Sequence, residues 1–168
     1  MRRALLFAAV VVVAAAACVG LIAALAARDS GQVSGASGPG VLEPDRGAAR
    51  EKAAPAATPP TSGPHLADAV TRDRTALTDD QLLEALQLGN VVLTYPDARP
   101  PAALVAIQRD VSGPFDPALA AAGQAVILAR RPDAPVLGLA WRRRLAASGP
   151  DDPRLHDFAE AWLGQGAR

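Results

Sequence analysis

The chain has one cysteine, one lysine, two histidines and six aromatic side chains in 168 residues, and each shortage excludes something. Cys18 lies inside an apolar amino-terminal run, so no intramolecular disulfide, CxxC redox pair or thiolate zinc site can be built. Lys52 is the only lysine, and 17 basic residues balance 17 acidic ones. From Pro64 onward there are 11 arginines against 13 acidic residues, a slightly acidic surface that excludes a general nucleic-acid binder. No P-loop, GxGxxG or G-x-S-x-G occurs, which leaves nucleotide binding and an elbow nucleophile without support. Ser112, before Gly113 and Pro114, has the setting of a turn residue. The carboxylate pairs Asp79-Asp80 and Asp151-Asp152 each stand at a helix start, where capping accounts for them.

The chain does have a long apolar run. After Met1-Arg2-Arg3, the 24 residues from Ala4 to Ala27 carry no charge. As a helix rising ~1.5 Å per residue this is about 36 Å, enough to cross a hydrocarbon core of roughly 30 Å. The arginines in front favour an amino terminus in the cytoplasm, with the rest of the chain outside a bacterial membrane. A cleaved signal would have a shorter apolar region. A lipoprotein reading would use Cys18 after Ala15-Ala16-Ala17, but Val19 to Leu25 stay apolar. The expected division is an anchor over 1–27, a flexible linker over 28–58 and an extracytoplasmic domain over 59–168. The linker assignment rests on six glycines, five prolines and no aromatic residue between Arg28 and Gly63. The predominance of arginine and alanine matches a GC-rich bacterial genome.

The domain is centred on Thr78 to Tyr95. Thr78 and Gln81 have capping-box spacing, Leu77 and Leu82 can staple the entry, and Gly89 supplies a left-handed stop. Val91 to Tyr95 then reads as a strand. Pro100-Pro101 opens a second helix with Leu104, Ile107 and Val111 on one stripe, and Asp116-Pro117 a short third one. Gln124 to Ala129 and Val136 to Arg142 read as two more strands, joined by Arg131-Pro132-Asp133-Ala134-Pro135 as a hairpin. The small residues Gly138 and Ala140 suit close approach of a helix. Leu155, Phe158, Ala159 and Trp162 mark the last helix, stopped by Gly164. The fold class is α+β: about three strands in a mixed sheet, the first two parallel, with three to four helices.

Pro59-Pro60-Thr61-Ser62-Gly63-Pro64-His65, PPTSGPH, resembles the signature of an uncharacterised bacterial family, domain of unknown function 3105. Leu86, Gly89, Val91, Val92 and Tyr95 fit that family's HxLEHGxVVxxY block, and Ala140-Trp141, Asp152, Leu155 and Phe158 fit its later positions. The resemblance covers roughly Pro59 to Trp162. It implies a membrane anchor and, in the family, a histidine–glutamate constellation suited to metal or acid–base chemistry. Here the block's two histidines fall on Glu84 and Leu88 and its glutamate on Gln87, so only His65 remains.

The candidate ligand-binding residues are therefore His65, Glu84, Arg142 and Arg144. The arginine clusters Arg142-Arg143-Arg144 and Arg130-Arg131 would face each other across the hairpin and suit a small anionic ligand. No metal is expected; the alternative is zinc or copper on His65, Glu84 and His156. The function read from the sequence is a membrane-anchored, non-catalytic binding module of the cell envelope. Its partners would be the bilayer through residues 4–27 and an envelope protein or small anion. The competing reading is a metal-binding protein or metal-dependent enzyme.

Overall fold

The computed structural model describes residues 38–54, 56, 58–132 and 134–167. The expected anchor and Cys18 lie outside them, and among the described residues no helix is long and apolar enough to cross a membrane. In chain order the elements are β1 (Val41–Leu42), α1 (Asp79–Leu88), β2 (Val91–Tyr95), α2 (Ala102–Val111), α3 (Pro117–Ala121), β3 (Val126–Arg130), β4 (Leu137–Ala140), β5 (Arg143–Ala146) and α4 (Arg154–Trp162).

The class is α+β, with five strands in the order β1-β5-β4-β2-β3. β2 and β3 are parallel, Val91 opposite Val126 through Tyr95 opposite Arg130. The sequence-based hairpin between β3 and β4 is corrected: β4 pairs antiparallel with β2, so the two strands flank it. β2 lies inside the sheet between β4 and β3 because all five of its side chains are buried, and a strand buried on both faces gains most from two neighbours and two helix layers. The hairpin that does form joins β4 to β5, with Ala140 opposite Arg143 and the two-residue turn Trp141-Arg142 between them. Arg142 adopts a left-handed φ of 58°, a conformation that its sequence does not advertise.

Alternation divides the core. Val91, Leu93, Tyr95, Val126, Leu128 and Ala140 face α2 and α4, whereas Val92, Ile127, Leu137 and Leu139 face α1 and α3. The capping box of α1 is complete, with Thr78 and Gln81 exchanging bonds of 3.1 and 3.2 Å, and Gly89 closes the helix at φ 115°. Buried Asn90 ties three elements at the turn into β2: it donates to the carbonyls of Ala85 and Ala120 and accepts from Ala125 N–H at 2.9 Å. The outer edge of β3 is covered by Asp73, which accepts from Leu128 N–H at 2.8 Å, and by Thr75, which bridges Ala129.

Residues 38–54 correct part of the linker assignment. They form a strap whose β1 pairs antiparallel with β5, and Ala53 is buried. Composition hid this because the strap's contacts are backbone and charge contacts. Glu43 N–H donates to Arg142 O at 2.8 Å, His65 N–H to Ala49 O at 2.9 Å, and Ala53 N–H to Asp80 Oδ1 at 2.8 Å.

Candidate functional site

The PPTSGPH segment is a loop, yet six of its seven residues are buried. A buried loop must find partners for its backbone and hydroxyl groups, and here the strap and β5 supply them. Thr61 Oγ1 donates to Glu43 Oε2 at 2.5 Å, Ser62 Oγ donates to Pro44 O at 3.1 Å, and Arg142 N–H donates to Thr61 O at 2.9 Å. The prolines remove donors that would otherwise need partners.

This packing seals His65, which is 0% exposed. Its Nδ1 lies 2.8 Å from Gly63 O; a carbonyl only accepts, so Nδ1 carries the proton. Nε2 is 3.3 Å from Glu84 Oε2 but has no hydrogen-bond partner, the two atoms being misaligned for one. Glu84, mid-way along α1, also receives Arg50 Nη1 from the strap at 2.5 Å. One turn earlier on the same face, Asp80 accepts from Leu66 N–H and Ala53 N–H, and these two bonds hold its carboxyl below the usual range. The Trp141 ring stands over the histidine, centroids 6.3 Å apart and planes tilted by 59°.

The structure brings together two of the candidate residues, His65 and Glu84, and adds Arg50, Asp80 and Trp141. Arg50 was lost to sequence reading because it lies in the stretch assigned to the linker. Asp80 was read as a capping charge; its position four residues before Glu84 on one helix face is the signal that would have placed it.

His156 is not part of this group. It sits on α4, against the opposite face of the sheet from α1. Its Nε2 lies 2.8 Å from Asp110 Oδ2 on α2 and its Nδ1 3.6 Å from Glu160, and the bond to Asp110 raises its pKa. The three-residue metal set His65, Glu84 and His156 is therefore not assembled.

A match to the family model described as a protein of unknown function, DUF3105, spans residues 48–167. The chain belongs to the DUF3105 family. The match begins inside the strap, in agreement with a strap that is part of the domain. No curated protein and no solved structure matches it. In this DUF3105 member Leu88, at a histidine position of the resembled block, is a 42%-exposed side chain at the end of α1 and offers no ligand.

The two arginine clusters do not meet, because β3 and β5 are separated by β4 and β2. Arg142 pairs with Asp45 at 3.4 Å and Arg144 with Glu43 at 3.2 Å, while Arg144 Nη2 also donates to Pro59 O at 2.6 Å. Arg143 is buried with its guanidinium 4.4 Å from the Trp162 ring centroid, and burial lowers its pKa. Arg131 pairs with Asp79 at 3.6 Å. Carboxylates of the chain itself meet the charges of Arg142 and Arg144, at the place the sequence offered to a small anionic ligand.

Proposed function

We propose that this DUF3105 member is a membrane-anchored, extracytoplasmic binding module of a bacterial cell envelope that turns over no substrate. One observation carries the non-catalytic part. His65, sealed from solvent, faces a carboxylate already paired with Arg50. A general base must come within hydrogen-bond reach of a substrate proton, and with Arg50 seated on Glu84 this imidazole has no open side from which one could approach. Neither histidine hydrogen-bonds a hydroxyl or thiol among the described residues, so nucleophile activation of the serine–histidine type also lacks support.

The uncharged run from Ala4 to Ala27, behind two arginines, supports the anchoring. The test is to express the full chain with a carboxy-terminal tag and fractionate the cells. The chain should sediment with membranes, resist extraction at high pH and lose its tag when protease is added outside spheroplasts. A chain recovered in the cytosolic fraction, or a tag protected until lysis, overturns the reading.

A further inference from the structure

We infer that His65 Nε2 and Glu84 Oε2 are two preset ligands of a divalent transition-metal site, zinc or copper in class, with the Arg50 guanidinium as its competing internal cation. The inference rests on the binding-module reading above and names the ligand class of its central pair.

Three features of the pair converge. First, Nδ1 is committed to Gly63 O, which leaves Nε2 as the lone-pair nitrogen of the neutral ring. A backbone carbonyl holding the far ring nitrogen is the usual outer support of a metal-binding histidine. Second, Nε2 is fully buried with no hydrogen-bond partner, an expensive arrangement for a polar atom. Third, the separation from Glu84 Oε2 is 3.3 Å. Two ligands bound at about 2.0–2.1 Å to one tetrahedral ion stand about 3.3–3.4 Å apart. Such an ion lies off the line joining its ligands, which also accounts for a nitrogen and an oxygen at this distance that fail to align for a hydrogen bond.

Arg50 marks where positive charge belongs. Its Nη1 sits on the same Glu84 oxygen, but the side chain is 54% exposed and enters from the strap, so it can swing into water when an ion arrives. With two protein ligands the remaining coordination positions fall to water or to a donor from a partner, and affinity is modest. Imidazole and carboxylate together favour copper and zinc over magnesium or calcium.

The experiment uses the purified full chain in detergent, in a His156→Gln background that removes the exposed imidazole next to Glu160. Zinc is titrated against a chromophoric competitor, and cobalt is added as a spectroscopic probe. Arg50→Ala should tighten zinc binding at least tenfold and give cobalt a tetrahedral absorption band. Glu84→Gln should weaken zinc at least tenfold, and His65→Ala should abolish the site. Truncating the buried His65 also risks the fold, so the Arg50→Ala gain and the Glu84→Gln loss suffice to decide. No zinc binding in the Arg50→Ala protein, or binding indifferent to Glu84→Gln, overturns the inference: the pair is then an imidazolium–carboxylate contact. That result leaves the membrane-anchored reading intact, since fractionation tests that separately.

Discussion

The indole Nε1 of Trp162, in the last turn of α4, donates to the carbonyl of Pro39 at 2.8 Å, 123 residues earlier. Gly38 lies flat on the same ring, where a Cβ would come within 2.3 Å of Trp162 Cζ2. The guanidinium of Arg143 covers the ring too. Trp162 is thus the post to which the start of the strap is fastened. Trp162→Ala should cost about 3 kcal/mol, the usual range for truncating a large aromatic side chain. Urea unfolding checks this. Exposure of residues 38–58 to limited proteolysis at native urea concentrations should rise in parallel.

Gly123 tests the junction between α3 and β3. Its φ is 72°, and a Cβ there would lie 2.0 Å from the Leu88 carbonyl oxygen, which cannot move without breaking the end of α1. Gly113, with φ 79°, has nothing within 4 Å. Gly113→Ala should therefore cost only the left-handed strain, about 1 kcal/mol. Gly123→Ala adds a backbone clash and should cost about 2–4 kcal/mol or fail to fold. Paired melting curves separate strain from collision.

Asp152 sets the acid limb of stability. Its carboxylate accepts from the Arg154 side chain and from Ser148 N–H, which together hold its pKa well below the ordinary 3.8. A group whose folded pKa is depressed stabilises the protein above its unfolded pKa, and that contribution drains as pH falls through the folded value. Stability should thus decline below about pH 4. Asp152→Asn should lower the urea midpoint at pH 7 and flatten its fall between pH 4 and pH 2.

His156 should act with the opposite sign. Asp110 raises its pKa above the ordinary 6.5, with Glu160 and Asp157 contributing. The stabilisation is then complete below about pH 6.5 and is lost as pH rises through the folded pKa. The acidic partners are well exposed and His156 is one-third exposed, so solvent screening keeps the effect under about 1 kcal/mol. Imidazole titration by NMR should show the raised pKa falling back in Asp110→Asn. His156→Gln should lose the corresponding slope in stability between pH 6 and pH 8.

Local chemistry was readable in the chain because it depends on neighbours a few residues apart. The Thr78–Gln81 capping box, the left-handed stop at Gly89, the stripe of Leu155, Phe158 and Ala159, and the gap at Gly138 filled by Phe158 all follow from spacing and side-chain size. The parallel pairing of β2 with β3 followed from the helical connection between them. The meeting of His65 with Glu84 was legible only as a candidate, since nothing local joins a loop histidine to a helix nineteen residues on.

What the sequence by itself determined is therefore the set of helices and strands, the shortage of reactive side chains, and the family signature. The tertiary structure decided the strand order, in which fully buried β2 has β3 on one side and β4 on the other. It also decided that residues 38–54 belong to the domain. Their contacts are backbone pairs with β5, ion pairs and hydrogen bonds to α1, and the Trp162 ring of α4, and contacts between such distant positions leave no periodic trace in composition. For the same reason Arg50 reaches Glu84 only in the folded chain, although the two are 34 residues apart.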